Sequence, residues 1–294
     1  MRSPLKPVDL LSLSLIALLS VVAVVFSRSV PSWGWLIARY ALLALVIVSV
    51  ALYTFGSQSG KLALSVHAFL PVFIIPVIFD SLGDLIPSIW PRYLDDILIH
   101  IDRGLFGVNP TVWMERFIHP MLTNFLQLAY ISYYFIPISL GIVLAARKKQ
   151  NNFDEAIFGI VLCFYLSYIG YLLFPAIGPR FTLGHLQTTG FQASPMALAI
   201  QNTLNRLENT KTDAFPSGHT AVALMTLYYA WKSREKVLFW TLIPVVSSLV
   251  ISTVYLRYHY VIDVIAGVLL STLTIYLAPR VNKALSPSSE KSHG

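Results

Sequence analysis

Apolar residues occur along this chain in long blocks that are separated by shorter polar segments. Each block holds roughly 20 residues, the length that an α-helix needs to cross a hydrocarbon core of about 30 Å. The pattern predicts eight membrane spans, which are Leu10–Phe26, Trp35–Phe55, Leu62–Phe79, Met121–Ala146, Ala156–Phe174, Ser217–Trp231, Val237–Tyr255 and Tyr260–Leu277. We therefore expect an all-α fold, a polytopic transmembrane helix bundle.

The segment between the third and fourth predicted spans, Ser81–Pro120, is too polar to cross a membrane. Within it, Tyr93–Leu105 alternates apolar and acidic residues at roughly helical spacing. This pattern predicts an amphipathic helix that lies in the membrane interface. A loop helix packed on the surface of the bundle fits the same pattern equally well.

The chain shows no internal repeat, so we expect one membrane domain over residues 1–284 and a disordered tail at 285–294. Residues 1–60 would add two N-terminal spans to a six-helix core at 62–278. The first span, Leu10–Phe26, is long for the apolar region of a signal peptide, and no small-residue cleavage pattern follows it before Arg28. We therefore expect this segment to be a membrane span.

The composition supports a bilayer protein and narrows its partners. Hydrophobic residues make up 56% of the chain and charged residues 12%, whereas soluble domains carry about 25% charged residues. The net charge of +7 comes from 21 Lys and Arg against 14 Asp and Glu. We see no basic stripe and no RNA-binding motif, so the expected partner is the bilayer and not nucleic acid.

Basic loop residues predict the orientation. Clusters at 147–149 and 232–236 follow the fourth and sixth spans, and further basic residues flank both ends of the eight-span set. Positive loops stay cytoplasmic, so we expect both termini in the cytoplasm and the protein in the plasma or inner membrane. The Pro175–Pro216 loop and the Leu256–Tyr258 turn then lie on the extracytoplasmic face.

Three polar clusters lie at span ends on this predicted extracytoplasmic face. The first contains Arg180, whose planar guanidinium suits a phosphate group; an arginine reaching the interface from a helix end is the alternative. In the second, Ser217, Gly218 and His219 open the sixth span. The free N–H groups of a helix N-terminus bind anions, and the histidine could protonate a leaving oxygen; a helix cap beside an incidental histidine is the alternative.

The third cluster contains His259 and Asp263, which are four residues apart and share one helix face. The carboxylate can accept a hydrogen bond from one imidazole nitrogen, so that the other nitrogen acts as a nucleophile. A purely structural His–Asp pair has the same spacing. The three clusters occur together on one predicted face, which favours phosphoryl chemistry over these separate alternatives.

The segment Pro216–His219 (PSGH), followed about 40 residues later by His259-x-x-x-Asp263, resembles the second and third signatures of the type 2 phosphatidic acid phosphatase (PAP2) superfamily. That group includes lipid phosphate phosphatases, undecaprenyl-pyrophosphate phosphatases and, more distantly, vanadium haloperoxidases. Inositol phosphorylceramide synthases and sphingomyelin synthases have related cores. The resemblance covers about half of the chain, from the fourth predicted span to Gly267.

The resemblance implies double displacement on a lipid phosphate, with neither metal nor other cofactor. By matching position, His259 would form a phosphohistidine, Asp263 would orient it, and His219 would serve as acid and then as base. Ser217, Gly218 and Arg180 would hold the phosphoryl oxygens. The expected function is that of an integral membrane lipid phosphatase or phosphotransferase.

Some residues depart from the family signatures. Leu173 and Thr253 stand where the family has a lysine and an arginine, and Phe181 replaces a proline. Arg257 and Lys211 are expected to supply the missing positive charges at the phosphate.

The segments Gly178–Arg180 and Leu256–Tyr260 resemble the inositol phosphorylceramide synthase-like branch. Headgroup transfer to an alcohol is therefore an alternative to hydrolysis. From a different class, a membrane transporter or lipid-binding scaffold could use the same histidines as a proton relay. Transporters often contain repeated halves with helices broken at mid-membrane depth. The absence of a duplication here favours the enzyme.

Overall fold

The computed structural model describes residues 3–55, 60–190, 194, 195, 199, 203 and 210–286, without the side chains of residues 61 and 62. Its helices are α1 Pro7–Val25, α2 Trp33–Phe55, α3 Lys61–Phe69, α4 Pro71–Ile89, α5 Asp95–Phe106, α6 Pro110–Trp113, α7 Pro120–Ile131, α8 Ile136–Ala146, α9 Gln150–Leu173, α10 Pro179–Thr182, α11 Gly218–Lys232, α12 Lys236–Tyr255 and α13 Val261–Leu285. Among these described residues, β pairing is limited to an isolated bridge between Ala176 and Asp213. The predicted all-α class is therefore confirmed.

Six helical stretches in the described part of the chain are long and apolar enough to span a membrane, and a bent pair adds a seventh. The pair is α7 and α8, which meet at an angle of 50°. Pro137 causes this break, because a proline in the first turn of α8 cannot donate the hydrogen bond that would continue α7. Helix α11 corresponds to the sixth predicted span. It has 15 residues, fewer than the roughly 20 that cross a hydrocarbon core.

The third predicted span ends later than expected. The sequence placed its end at Phe79, but α4 continues to Ile89. Polar residues in this extension have partners on α2: Asp80 accepts a hydrogen bond from Arg39 at 2.7 Å, and the hydroxyls of Ser81 and Tyr40 lie 2.9 Å apart. Because these side chains are paired, their polarity does not end the helix.

Helix α9 lies at the centre of the bundle. One cluster of buried residues joins α9 to α7, α8, α11 and α12, and a second joins it to α1, α2 and α4. The site is located where the C-terminal ends of α9 and α12 meet the N-terminal ends of α11 and α13. At the other end of the bundle, Glu235 forms ion pairs with Arg147 and Lys149, which links the α8–α9 and α11–α12 turns.

Helix α5 corresponds to the predicted amphipathic segment and has features of both alternatives. Its apolar side chains Ile97 and Leu105 are 56% and 58% exposed, as an interfacial helix requires. Its carboxylates Asp95 and Asp102 point the other way and are 4% and 1% exposed. The helix therefore packs an acidic face on the bundle and leaves an apolar face outside. The predicted tail, 285–294, begins too early, because Leu285 is the last residue of α13. Residues from 287 onward lie outside the described part of the chain.

Candidate active site

Two histidines that are far apart in sequence meet at this end of the bundle. His219 lies in the first turn of α11, and His259 lies in the turn just before α13. The Nδ1 atom of His219 is 3.2 Å from the Nε2 atom of His259. The predicted pairing of an acid–base histidine with a nucleophilic histidine therefore has the required proximity.

A backbone carbonyl orients the imidazole of His259. Its Nδ1 atom lies 2.7 Å from the carbonyl oxygen of Ala214, and a carbonyl oxygen can only accept. We therefore assign the proton to Nδ1, which leaves the lone pair on Nε2 facing His219. The Asp263 carboxylate, expected to accept this hydrogen bond, is further away, with Oδ2 at 3.5 Å from Nδ1.

Asp263 instead organises the start of its own helix. Its Oδ2 atom accepts a hydrogen bond from the backbone N–H of Tyr260 at 2.8 Å. Its Oδ1 atom is buried and has no hydrogen-bond partner among the described residues. The carboxylate thus lies within ion-pair distance of His259, where it can stabilise a positive charge that develops on the ring.

Burial keeps the His259 imidazole neutral. It lowers the pKa of His259 to about 4, and the nearby negative charge of Asp213 opposes this shift. A neutral ring with its lone pair on Nε2 is the form that can attack phosphorus. The side chain is 2% exposed, so a substrate must bring its phosphoryl group to an already desolvated nitrogen.

Aromatic rings surround His219. The centroids of Tyr130 and Tyr133 lie 4.7 and 4.3 Å from the centroid of His219, and Tyr130 stacks on Tyr258 at 4.3 Å. Packing against rings restricts the imidazole to few orientations. These tyrosines were not predicted as site residues, because nothing in the sequence separates them from ordinary core aromatics.

Arg180 reaches the site from the short helix α10. Its backbone N–H donates to the carbonyl oxygen of Arg257 at 3.0 Å, and its guanidinium carbon lies 4.8 Å from the ring centroid of Tyr258. The preceding Gly178 has a φ of +86°, and a Cβ there would lie 2.5 Å from the carbonyl oxygen of Tyr258. A glycine is therefore required for the close approach of the two loops. The positive charge of Arg180 also lowers the pKa of His259.

The N-terminus of α11 is less open than expected. The backbone N–H of Ser217 donates to the carbonyl oxygen of Asp263 at 2.9 Å, so the expectation that this group is free for an anion is wrong. The Ser217 hydroxyl accepts a hydrogen bond from the N–H of Thr220 at 3.3 Å and thereby caps its own helix. A Cβ at Gly218 would collide with the hydroxyl of Tyr171. The phosphate-binding roles of Ser217 and Gly218 stay predictions.

Asp213 is a further charged residue at the site that the motifs in the sequence did not predict. It pairs with Ala176 in the isolated β-bridge, which places the next carbonyl, that of Ala214, against His259. Burial raises the pKa of the Asp213 carboxyl, while the charges of His259, Arg180 and Lys211 lower it. The sequence signal that could have identified Asp213 is an acidic residue just before the PSGH segment.

The positive charge of Lys211 lowers the pKa of the Asp213 carboxyl. The predicted contact of Lys211 with phosphate stays a prediction.

Arg257 has a different set of partners from the one expected. Its Nη2 atom lies 3.0 Å from Oε1 of Glu115 and 2.7 Å from the carbonyl oxygen of Thr189. Glu115 also accepts from the backbone N–H groups of Thr188 and Thr189. These contacts give Arg257 a structural role in holding the loop after α10. Its predicted role as a phosphate ligand stays a prediction.

In the described part of the chain, no group of three or more His, Cys, Asp or Glu side chains could hold a metal ion. The residues that meet at the site are two histidines, two carboxylates and an arginine: His219, His259, Asp213, Asp263 and Arg180.

Comparison with known proteins places the chain in a family. The sequence profile of the PAP2 superfamily matches residues 96–277. A PA-phosphatase related-family protein of Dictyostelium discoideum is 25% identical over 211 residues, which cover 65% of this chain and 37% of that relative. The chain therefore spans well under half of the length of this relative. No solved structure matches the chain.

The apolar helix bundle, with two histidines in contact at one end, is that of an integral membrane protein with a buried polar site. Because the family profile covers more than half of the chain and includes both histidine motifs, the chain belongs to the PAP2 superfamily. Its resemblance to the inositol phosphorylceramide synthase-like branch stays a prediction.

Proposed function

We propose that this protein transfers the phosphoryl group of a phosphorylated lipid through a phosphohistidine at His259. The observation that carries the proposal is the 3.2 Å contact between Nδ1 of His219 and Nε2 of His259. It brings a nucleophilic nitrogen and a proton donor to one point, beside the positive charge of Arg180. Family membership and the name of the Dictyostelium relative both support a lipid phosphatase.

In the first step, the Nε2 lone pair of His259 attacks phosphorus while the bond from phosphorus to the leaving oxygen breaks. The anionic phosphoryl group favours the protonated form of His219, which gives its proton to the leaving oxygen. Asp263 stabilises the cationic phosphohistidine, and Arg180 holds the phosphoryl oxygens. Most of the catalysis of phosphoryl transfer comes from such positioning and charge stabilisation.

In the second step, neutral His219 takes a proton from the acceptor as the acceptor oxygen attacks phosphorus. The phosphorus–nitrogen bond breaks, and His259 returns to its neutral form. With water as the acceptor the product is inorganic phosphate, and with a lipid or polyol hydroxyl it is the phosphate monoester of that alcohol. A phosphodiester product would require a phosphodiester donor, whose headgroup stays on phosphorus while it is bound to His259. Hydrolysis and headgroup transfer therefore share every catalytic residue.

The proposed site faces the extracytoplasmic side of the membrane. Helices α9 and α11 each connect the site to the opposite end of the bundle, where Arg147, Lys149 and Glu235 form ion pairs. Basic loops stay on the cytoplasmic side. This arrangement supports cytoplasmic basic turns and an extracytoplasmic site.

The test uses the full chain in detergent with dioctanoyl phosphatidic acid as the probe, with and without inositol. We expect dioctanoylglycerol together with released phosphate or, with inositol as the acceptor, inositol phosphate, and an acid-labile, alkali-stable phosphoenzyme after rapid quenching. His259→Ala should lose both signals. The exposed His185, on the loop after α10, provides the matched control, and His185→Ala should keep them. A wild-type protein that turns over lipid phosphates without forming any phosphoenzyme would contradict the proposal.

A further inference from the structure

Helix α5 contacts both backbone segments that carry the proposed catalytic groups. We propose that it sets the distance between the Arg180 loop and the His259 turn, with Asp95 and Asp102 as positioning residues. This inference rests on the proposed function, because it concerns the geometry of the same phosphoryl-transfer site.

Asp95 holds the loop that leads to Arg180. Its Oδ2 atom accepts a hydrogen bond from the N–H of Ile177 at 3.0 Å, and its Oδ1 atom accepts one from the N–H of Gly178 at 2.8 Å. The Tyr260 hydroxyl donates to the same Oδ1 atom at 2.9 Å. One carboxylate therefore joins the backbone of the Arg180 loop to the residue that follows His259.

Asp102 holds the start of α13. Its Oδ2 and Oδ1 atoms accept hydrogen bonds from the N–H groups of Val261 at 2.9 Å and Ile262 at 2.8 Å. The first N–H groups of a helix have no partner within the helix, so this carboxylate from another element caps α13. The turn that carries His259 enters the helix at this point, and its direction therefore depends on Asp102.

The two carboxylates lie seven residues apart, about two helical turns, and hence on one face of α5. Both side chains are buried, and each accepts hydrogen bonds from two consecutive backbone N–H groups. A rigid helix with two such contacts acts as a spacer between the segments it binds. Transfer chemistry needs this spacing, because a misplacement of about 1 Å can cost about 100-fold in rate.

The test compares Asp95→Asn and Asp102→Asn with Asp96→Asn, which makes the same change at an exposed position of α5. An asparagine places an NH₂ group opposite a backbone N–H, so one hydrogen bond becomes a repulsive contact. For the full chain in detergent with dioctanoyl phosphatidic acid, we expect kcat to fall about 10- to 100-fold in both buried variants. KM should stay within about twofold, and Asp96→Asn should match wild type.

Inhibition by orthovanadate supplies a readout that does not depend on turnover. Vanadate adopts the five-coordinate geometry of the transferring phosphoryl group, so its inhibition constant should rise by the same factor by which kcat falls. A structural role alone would lower the melting temperature and the active fraction, but would leave the inhibition constant of the remaining active molecules unchanged.

Folded Asp95→Asn and Asp102→Asn proteins with wild-type kcat and wild-type vanadate inhibition would overturn the inference. If neither variant folds, Tyr260→Phe decides, since it removes one hydrogen bond to Asp95 and keeps the ring; unchanged vanadate inhibition there would also overturn it. A wild-type protein that neither turns over lipid phosphates nor responds to vanadate would instead contradict the proposed function.

Discussion

Two buried pairs of histidine and aspartate in the described part of the chain lie at opposite ends of the bundle, and their surroundings differ. At the proposed cytoplasmic end, Nε2 of His67 lies 2.9 Å from Oδ2 of Asp9, and its Nδ1 lies 2.7 Å from the hydroxyl of Thr54. At the other end, Nδ1 of His259 contacts a backbone carbonyl, and its Nε2 faces another histidine.

The two pairs differ in how many nitrogens of the histidine ring are held by the fold, which separates a structural pair from the proposed reactive pair. Both ring nitrogens of His67 are held by side chains of α1 and α2, so this histidine ties three helix ends together. In His259 the hydrogen bond from Nδ1 to the Ala214 carbonyl orients the ring, while Nε2 contacts the imidazole of His219. The number of nitrogens that are committed to the fold distinguishes the two pairs better than the His–Asp distance does.

The largest expected effect is that of removing each imidazole. His259→Ala should lower kcat for dioctanoyl phosphatidic acid by at least about 1000-fold, because the nucleophile is lost. His67→Ala should lower the melting temperature by several degrees and leave kcat per folded molecule unchanged. Turnover and thermal unfolding of both purified variants check this. A His67→Ala protein that is folded but inactive would remove the distinction between the pairs.

A smaller effect is expected from neutralising each carboxylate. Asp263→Asn should lower kcat by about 100- to 1000-fold, because the positive charge on phosphorylated His259 loses its buried counterion. The change should be smaller than that of His259→Ala, since the Ala214 carbonyl still orients the ring.

Asp9→Asn is the matched control for Asp263→Asn. It should leave kcat unchanged and lower the free energy of unfolding by about 1–3 kcal/mol, because a buried hydrogen bond is lost. Equal kcat values for the two asparagine variants would show that Asp263 contributes to folding alone.

The smallest expected effect is on acid stability. The pKa of His259 is lowered to about 4 in the folded protein, below the value of about 6.5 for an unfolded chain. As the pH falls from about 6.5 to 4, the unfolded chain binds a proton that the folded protein does not, so stability decreases. Wild type should therefore lose up to about 3 kcal/mol more than His259→Asn over this range.

Thermal unfolding of wild type and His259→Asn across these pH values checks the prediction. Stability should be independent of this group above pH 6.5, because His259 is neutral in both states there. Parallel pH profiles of stability for the two proteins would mean that folding does not change the pKa of His259.

The sequence by itself determined the all-α membrane class and the residue types at the site. Long apolar blocks have few alternatives to membrane helices, since backbone polar groups must be paired within a bilayer. The motifs that contain Arg180, His219 and His259 were visible because charged and polar residues interrupt apolar sequence at helix ends. The break between α7 and α8 at Pro137 was not predicted, because the apolar pattern indicated one continuous span over Met121–Ala146.

Only the tertiary structure decided which group orients each of the proposed catalytic side chains. The Ala214 carbonyl that holds His259 has no signature in the sequence, because every residue carries one. The contacts of Asp95 and Asp102 join segments about 80 to 160 residues apart along the chain, and spacing along one helix cannot indicate such partners. Sequence patterns report local periodicity and chemistry, whereas hydrogen bonds between distant segments depend on how the helices pack.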